Sequence, residues 1–469
     1  MPHHDLVIIG TGSGNSLVTP DLEGLDIAIV ESGPFGGTCL NAGCIPTKML
    51  VMPADVVVGA AEAARIGIKF GQPDVDWPAI RDRVFGRIDP IAVAGEQYRN
   101  SQPFVTVYNQ RARFVAPRQL ELSEGTLISA DQVVVAAGAH PRMLPQAGLG
   151  AADPARGLHT SDTIMRIDEL PRRLLVLGGG YVGCEFAHVF AALGSEVTQV
   201  FRGEHLLRSQ EKQIAEQYTR LVADRVALHP QTTVLDARRS DSCWQVRVSG
   251  PQGEQVLAAD AILVAVGRVP NGAALDAETG GMQLDSDGYI LVDDTQHTTA
   301  PGTWALGDVS SAWQLKHVAN HEARVVAHNL AATLGRGERE LVRSDHRFVP
   351  WGIFGHPKIA GFGPTAQQLD AAGVPYVSAT QRYGDVAAGW AMEDQHGFLT
   401  IHASPQGQIL AAHCLGEFAS TLIQPLLQAA SFGQRAHDVA RGQYWIHPAL
   451  SEVVENALLA LPDPSAVVG

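Results

Sequence analysis

The sequence predicts an α/β protein: two Rossmann-like dinucleotide-binding domains followed by a C-terminal α+β interface domain. Three observations predict it. A strand, a glycine-rich turn and a second strand open the chain; the same arrangement recurs from Leu174; and the last third carries no glycine fingerprint. At one domain per roughly 100–200 residues, 469 residues accommodate three such units.

Leu6-Val7-Ile8-Ile9 is a fully apolar strand. It runs into Gly10-Thr11-Gly12-Ser13-Gly14-Asn15, a turn whose backbone can approach a pyrophosphate while the N-terminus of a following helix meets the charge. The next strand, from Asp26 to Val30, ends at Glu31, where a carboxylate can bind a ribose diol. Asn15 stands where G-x-G-x-x-G has its third glycine, with Gly14 one place early, so helix packing there should differ slightly. Strand, turn, helix and acidic strand end in that order favour a dinucleotide with a free ribose over a ligand-free capping turn.

The second fingerprint is complete. Gly178, Gly180 and Gly183 sit between a strand at Leu174 to Leu177 and a helix reaching about Leu193. The strand after it, Val197 to Phe201, ends without an acid, and Arg202 and Arg208 come next. A 2′-phosphate needs cations and is repelled by a carboxylate, so this end selects NADPH over NADH; two merely solvated arginines are the alternative. Val133 to Gly138 and Ile262 to Gly267 are buried-strand runs ending on glycine, placed where the chain crosses between domains, and Trp304 to Asp308 is a third such strand end. The boundaries expected are 1–150 for the first part of the first nucleotide domain, 151–272 for the second nucleotide domain, 273–345 for the return to the first, and 346–469 for the interface domain. Helical stretches are expected at 421–431 and 451–459, with a frayed tail from Pro462.

Between the two units lies Cys39-Leu40-Asn41-Ala42-Gly43-Cys44, a CxxxxC. Residues five apart in a regular helix rise about 7.5 Å, beyond the ~7 Å Cα limit for a disulfide. A Cys39–Cys44 bond therefore requires an irregular turn, for which Gly43 supplies freedom, with a helix starting just after Pro46. Such a bond would be strained, exchangeable and redox-active. Half of a zinc site and two ordinary buried thiols are the alternatives, but Cys184, Cys243 and Cys414 are isolated and offer no second pair. Near the end, His447 precedes Pro448, and Glu452 lies five residues on. An imidazole titrates where a proton must move to and from a thiol, and Glu452 could orient it. Alone, a His-Pro turn opening a helix is a structural element; the redox context gives it chemistry.

Composition narrows the function classes. Thirty-four basic against 49 acidic residues give −15, a field that repels nucleic acid and anionic membranes. Five cysteines are too few and too odd a number for a secreted disulfide framework, which points to a reducing compartment. No leader pattern follows Met1, and apolar stretches such as Val56 to Ala64 meet charge well short of the ~20 residues of a membrane span. A cytoplasmic protein without a nucleic-acid or membrane partner is expected.

These elements in this order resemble the pyridine nucleotide-disulfide oxidoreductases, the class of glutathione reductase and lipoamide dehydrogenase. The likeness spans nearly the whole chain, and G-G-T-C-x-N-x-G-C-x-P-x-K is its most specific stretch. It implies FAD at Gly10, Gly12, Gly14, Glu31, Gly37, Thr38, Gly138 and Asp308, and NADPH at Gly178, Gly180, Tyr181, Gly183, Arg202, Arg208 and Gly267. Tyr181 would cover the flavin until the nicotinamide displaces it. A Lys48–Glu185 ion pair would stand near the flavin, and a helix from about His317 would aim its dipole at the same ring. Cys44 would be the flavin-side charge-transfer thiolate and Cys39 the interchange thiol. His447 and Glu452 would reach the site of the other subunit, implying an obligate homodimer. No metal is implied. The stretches Val84 to Ile91, Lys316 to Arg324 and Tyr383 to Asp394 resemble the branch whose small-molecule substrate is mycothione, the symmetric disulfide of mycothiol. An NAD-dependent dihydrolipoamide dehydrogenase is the alternative, against which Phe201 and Arg202 argue. A non-catalytic flavin-bound sensor or interaction protein is another.

Overall fold

A computed structural model describes residues 1–240, 243–336 and 340–463. Of the tail, Asp463 pairs with Arg441 (3.3 Å), and 464–465 lie outside the described residues.

Leu6 to Ile9 of β1 (His3–Ile9) are buried, as a parallel strand covered on both faces requires. β1 pairs in parallel with β2 (Ile27–Val30) on one side. The cysteine segment follows as α1 (Gly37–Asn41) and α2 (Cys44–Glu62), and then comes α3 (Trp77–Asn100). β3 (Val105–Tyr108) extends the sheet beyond β2, and β4 (Leu127–Val135) flanks β1 on the other side. Strand Thr303–Ala305 returns from far along the chain to pair with β4.

The helix expected after the first glycine turn is absent. Between Gly10 and β2 there are two single 3₁₀ turns, Gly14–Leu17 and Pro20–Leu22. Thr19, held extended (φ −101°, ψ 166°) before Pro20, stops a helix before a second turn forms. Gly14 does the close packing instead of the missing third glycine, since a Cβ there would lie 2.7 Å from the Ala136 methyl.

The second unit is a full βαβ: β5 (Arg173–Leu177), α4 (Tyr181–Ala192) and β6 (Glu196–Val200), followed by α5 (Lys212–Val222) and β7 (Ala261–Val264). Its sheet runs in parallel order from Ala227–His229 through β6, β5 and β7 to Leu158–His159. A Cβ on Gly183 would lie 2.4 Å from the Gly178 carbonyl oxygen, the close helix–strand approach that a third glycine serves.

After α6 (Lys316–Thr333) comes an antiparallel sheet in the order Pro350–Ile353, Ile359–Phe362, Ile409–Leu415, Phe398–Ala403, Val377–Arg382. The expected helix at 421–431 is two pieces, Ala419–Leu422 and Gln424–Ser431, and α7 (Ser451–Leu459) forms as expected. One expectation fails. The helical run Gly37–Ile66 is long and apolar enough by composition to cross a membrane. A third of its apolar stretch is buried: Leu50, Val51 and Ala54 share a core with Val84 and Ile88 of α3 and Phe186 and Phe190 of α4, while Met52 and Val56 are exposed.

Glu211, just before α5, joins the second unit to the last sheet by accepting from the Ala366 N–H (2.9 Å) and His402 Nε2 (3.3 Å). Burial alone would raise its carboxyl, but these donors and the nearby imidazoles outweigh burial and hold it below the ordinary value. A depressed carboxyl contributes stability above its unfolded pKa and loses it as pH falls through the folded value. Glu211→Gln should therefore cost about 1–3 kcal/mol near pH 7, and the difference from wild type should vanish in acid, measured by denaturant unfolding across pH.

Candidate active site

The redox segment is built by left-handed glycines and a helix break. Gly36 (φ +99°) and Gly37 (φ +64°) turn the chain into α1, and a Cβ on Gly37 would lie 2.7 Å from Gly12 Cα. The cysteine loop thus presses directly on the first glycine turn. Asn41 holds α1 closed, its Nδ2 donating to the carbonyls of Phe35 (2.9 Å) and Gly37 (3.0 Å). The helix then breaks at Ala42 and Gly43, where a Cβ on Gly43 would meet the Thr38 carbonyl oxygen at 2.8 Å. α2 starts at Cys44, two residues ahead of Pro46 rather than just after it.

The break brings the two free thiols close enough to shift each other's titration. The Cys44 side chain, against the opposing effect of burial, and the Lys316 ammonium lower Cys39 to about 7; the N–H groups of Cys44 and Ile45 add to it. Cys44 is driven strongly up by the Cys39 side chain, by burial and by the negative charge of Cys39. The balance of these effects favours negative charge on Cys39 over Cys44 in the cofactor-free chain.

Lys48 and Glu185 do not make the expected ion pair; Phe354 stands between them. Lys48 Nζ lies 4.3 Å from the centre of the Phe354 ring, and the Phe354 N–H donates to Glu185 Oε1 (2.8 Å). Burial raises Glu185 to about 7, against the Phe354 N–H and Lys48, and burial lowers the Lys48 ammonium. Phe354 carried no signal in the sequence, being an ordinary apolar residue at a strand end 169 positions from Glu185. Trp351, equally unsignalled, stacks on Tyr181 (centroids 6.2 Å apart, planes 26°), whose hydroxyl bonds Gln210.

The residues assigned to the dinucleotides fit them. A Cβ on Gly138 (φ +66°), Gly180 or Gly267 (φ +122°) would meet no atom within 4 Å, so each faces open space where a ligand can approach. Thr38 sits in α1, one residue from the contact of Gly37 with Gly12. Asp308, in a 3₁₀ turn after Gly307, is raised by burial. Glu31 is less free than expected. Its Oε2 accepts from the Thr11 N–H (2.8 Å) and hydroxyl (2.6 Å), and its Oε1 from the Gly33 N–H (2.9 Å). It closes its own turn and keeps only its remaining lone pairs for a ribose. Arg202 and Arg208 are exposed and make no ion pair with an acidic side chain among the described residues, and the stem of Arg208 lies over Gly203.

His447 Nδ1 bonds Glu452 Oε1 (2.9 Å), five residues on at the start of α7. The imidazole is 71% exposed and bonds to neither cysteine among the described residues. Just before it in the chain Tyr444 and Ile446 are exposed, and elsewhere in the last domain so are Trp390, Phe418 and Phe432.

Residues 4–323 match the family model of the pyridine nucleotide-disulphide oxidoreductases, and 349–458 match the model of that family's dimerisation domain. The chain belongs to this family; it is a flavoprotein disulfide reductase, and membership implies FAD and NADPH as cofactors. Within the family it is 47% identical to mycothione reductase of Mycobacterium tuberculosis (strain H37Rv), over 98% of this chain and 100% of the relative. Dihydrolipoyl dehydrogenase of Chlamydia pneumoniae is 31% identical over 98% of this chain and 97% of its own length. Among solved structures, the Cu(II) complex of the HOCl-induced flavoprotein disulfide reductase RclA from Escherichia coli superposes with a TM-score of 0.84 at 27% identity, covering 98% of this chain and 99% of that one.

Because negative charge favours Cys39 over Cys44, alkylation of the reduced protein by iodoacetamide should fall on Cys39 rather than Cys44. Its rate should rise through a midpoint near pH 7 rather than the ordinary thiol value of about 8.5. Peptide mapping across pH checks both.

Proposed function

We propose that this enzyme reduces mycothione to two molecules of mycothiol with NADPH, as a cytoplasmic homodimer. The observation that carries this reading is the 47% identity over the full length of a mycothione reductase, against 31% for a dihydrolipoyl dehydrogenase over the same span. Arg202 and Arg208, free of acidic partners at the end of the second nucleotide unit, support NADPH over NADH. FAD would lie on residues 1–150 and 273–345, NADPH on 151–272, and the subunit contact on 346–469.

FAD held on the first unit would supply the two-electron link between NADPH on the second unit and the Cys39–Cys44 disulfide. The protein's own residues then carry the second half. The Cys39 thiolate attacks one sulfur of mycothione and breaks its S–S bond. His447 of the partner subunit, oriented by Glu452, protonates the departing mycothiol thiolate. The Cys44 thiol gives its proton to the same imidazole and attacks Cys39; the second mycothiol leaves as a thiolate that takes this proton, and the disulfide is restored. Each cycle consumes one hydride and one proton and yields two thiols. Lys48, set by Phe354, and Glu185 tune charge beside the reducing centre.

Steady-state turnover of mycothione, glutathione disulfide and lipoamide with each nicotinamide cofactor tests the reading. The expected result is the highest kcat/KM for mycothione with NADPH. A preference for lipoamide with NADH would replace it with a dihydrolipoamide dehydrogenase.

A further inference from the structure

The cradle of the first dinucleotide lacks the device on which such cradles rely. A helix N-terminus carries about half a positive charge because peptide dipoles align over several turns. Here one 3₁₀ turn, Gly14–Leu17, comes after the glycines, and the chain is extended again by Thr19. A pyrophosphate placed on this loop meets little of the usual positive end.

Behind the same turn stands a buried cation. Arg99, in the last turn of α3, is 8% exposed. Its Nε donates to Asn15 Oδ1 (2.7 Å) and its Nη2 to the Asn15 carbonyl oxygen (2.6 Å). The Tyr98 ring lies 5.2 Å from the guanidinium, but Nη1 makes no hydrogen bond and no Asp or Glu pairs with the group among the described residues. Burial accordingly holds its pKa below the usual value. Buried charges are ordinarily paired, because an unpaired one forfeits its hydration without return. Asn15 is also the residue that replaces the third glycine of the fingerprint, and a glycine there would offer no Oδ1. The missing helix, the altered fingerprint and the unpaired arginine meet at one residue.

We propose that Arg99, anchored through Asn15, is the positive charge behind the FAD pyrophosphate cradle, standing in for the absent helix dipole, with the pyrophosphate as its counter-charge. It acts through the loop it holds, as a positioning residue. Lys316, at the start of α6, adds a second cation on the same loop, its Nζ donating to Ser13 Oγ (2.9 Å). The proposal rests on FAD occupying the first unit; if that reading is wrong, wild-type apoprotein will bind no FAD at all.

The test is FAD binding to apoprotein prepared from the full-length holoenzyme, followed by flavin fluorescence quenching at several salt concentrations. R99Q should weaken FAD binding by about tenfold or more, the scale of a favourably placed, partly buried charge–dipole interaction. R99K, which keeps the charge, should recover most of that loss, and the affinity of R99Q should fall less steeply with salt than that of wild type. If R99Q does not fold, N15G, which keeps the charge but removes its side-chain anchor, should still weaken FAD binding. Unchanged FAD affinity in the folded variant would overturn the proposal. So would equal losses in R99Q and R99K with the wild-type salt slope, which would make Arg99 only a pin for the turn.

Discussion

Two thiols five residues apart must touch, and a regular helix forbids it; much of the first domain is arranged around that constraint. The break at Ala42 and Gly43 resolves it by ending one helix and starting another at Cys44. The solution is asymmetric. A new helix N-terminus beside the break presents the N–H groups of Cys44 and Ile45 to Cys39 and lowers it, while burial and the charge of Cys39 raise Cys44. A reductase of this kind needs that asymmetry, because one sulfur must meet an external disulfide while the other waits to resolve it. The same constraint reaches the cofactor cradle, since Gly37 can enter the loop only by pressing on Gly12.

Charge on Lys48, Glu185 and Glu31 is met through intermediaries rather than by direct ion pairs. Phe354 gives its ring to Lys48 and its N–H to Glu185. Glu31 spends part of its carboxylate on closing the turn it was expected to leave free for a ligand. In each case a protein group occupies the position where a simple reading puts an ion pair or a ligand contact, and this keeps the cradle ordered while leaving its charge available.

Local signals were legible. The glycine spacing, the Cys39–Cys44 pair and the His447–Glu452 pair each lie within a few residues, and α7 forms at 451–459 as the pattern predicts. The need for an irregular turn at Gly43 came from helix rise alone. The features that were not legible depend on distant partners. Arg99 meets Asn15 across 84 residues, and Phe354 meets Glu185 across 169. An arginine or a phenylalanine carries no mark of such a partner. The missing helix shows another limit: a glycine fingerprint encodes a turn, while the length of any helix after it is decided by Thr19 and Pro20, outside the fingerprint.

The proposed chemistry needs a site shared between two subunits, with the thiols from one and the exposed His447–Glu452 pair from the other. Hybrid dimers test this most directly. Co-expression of a Cys39→Ser chain with a His447→Gln chain gives random pairs, half of them hybrids in which one of the two composite sites is intact. If the pair acts across the interface, this mixture should regain about a quarter of wild-type disulfide turnover, although neither parent dimer turns over. Activity no higher than that of the parents would contradict it and return the acid–base step to a single chain.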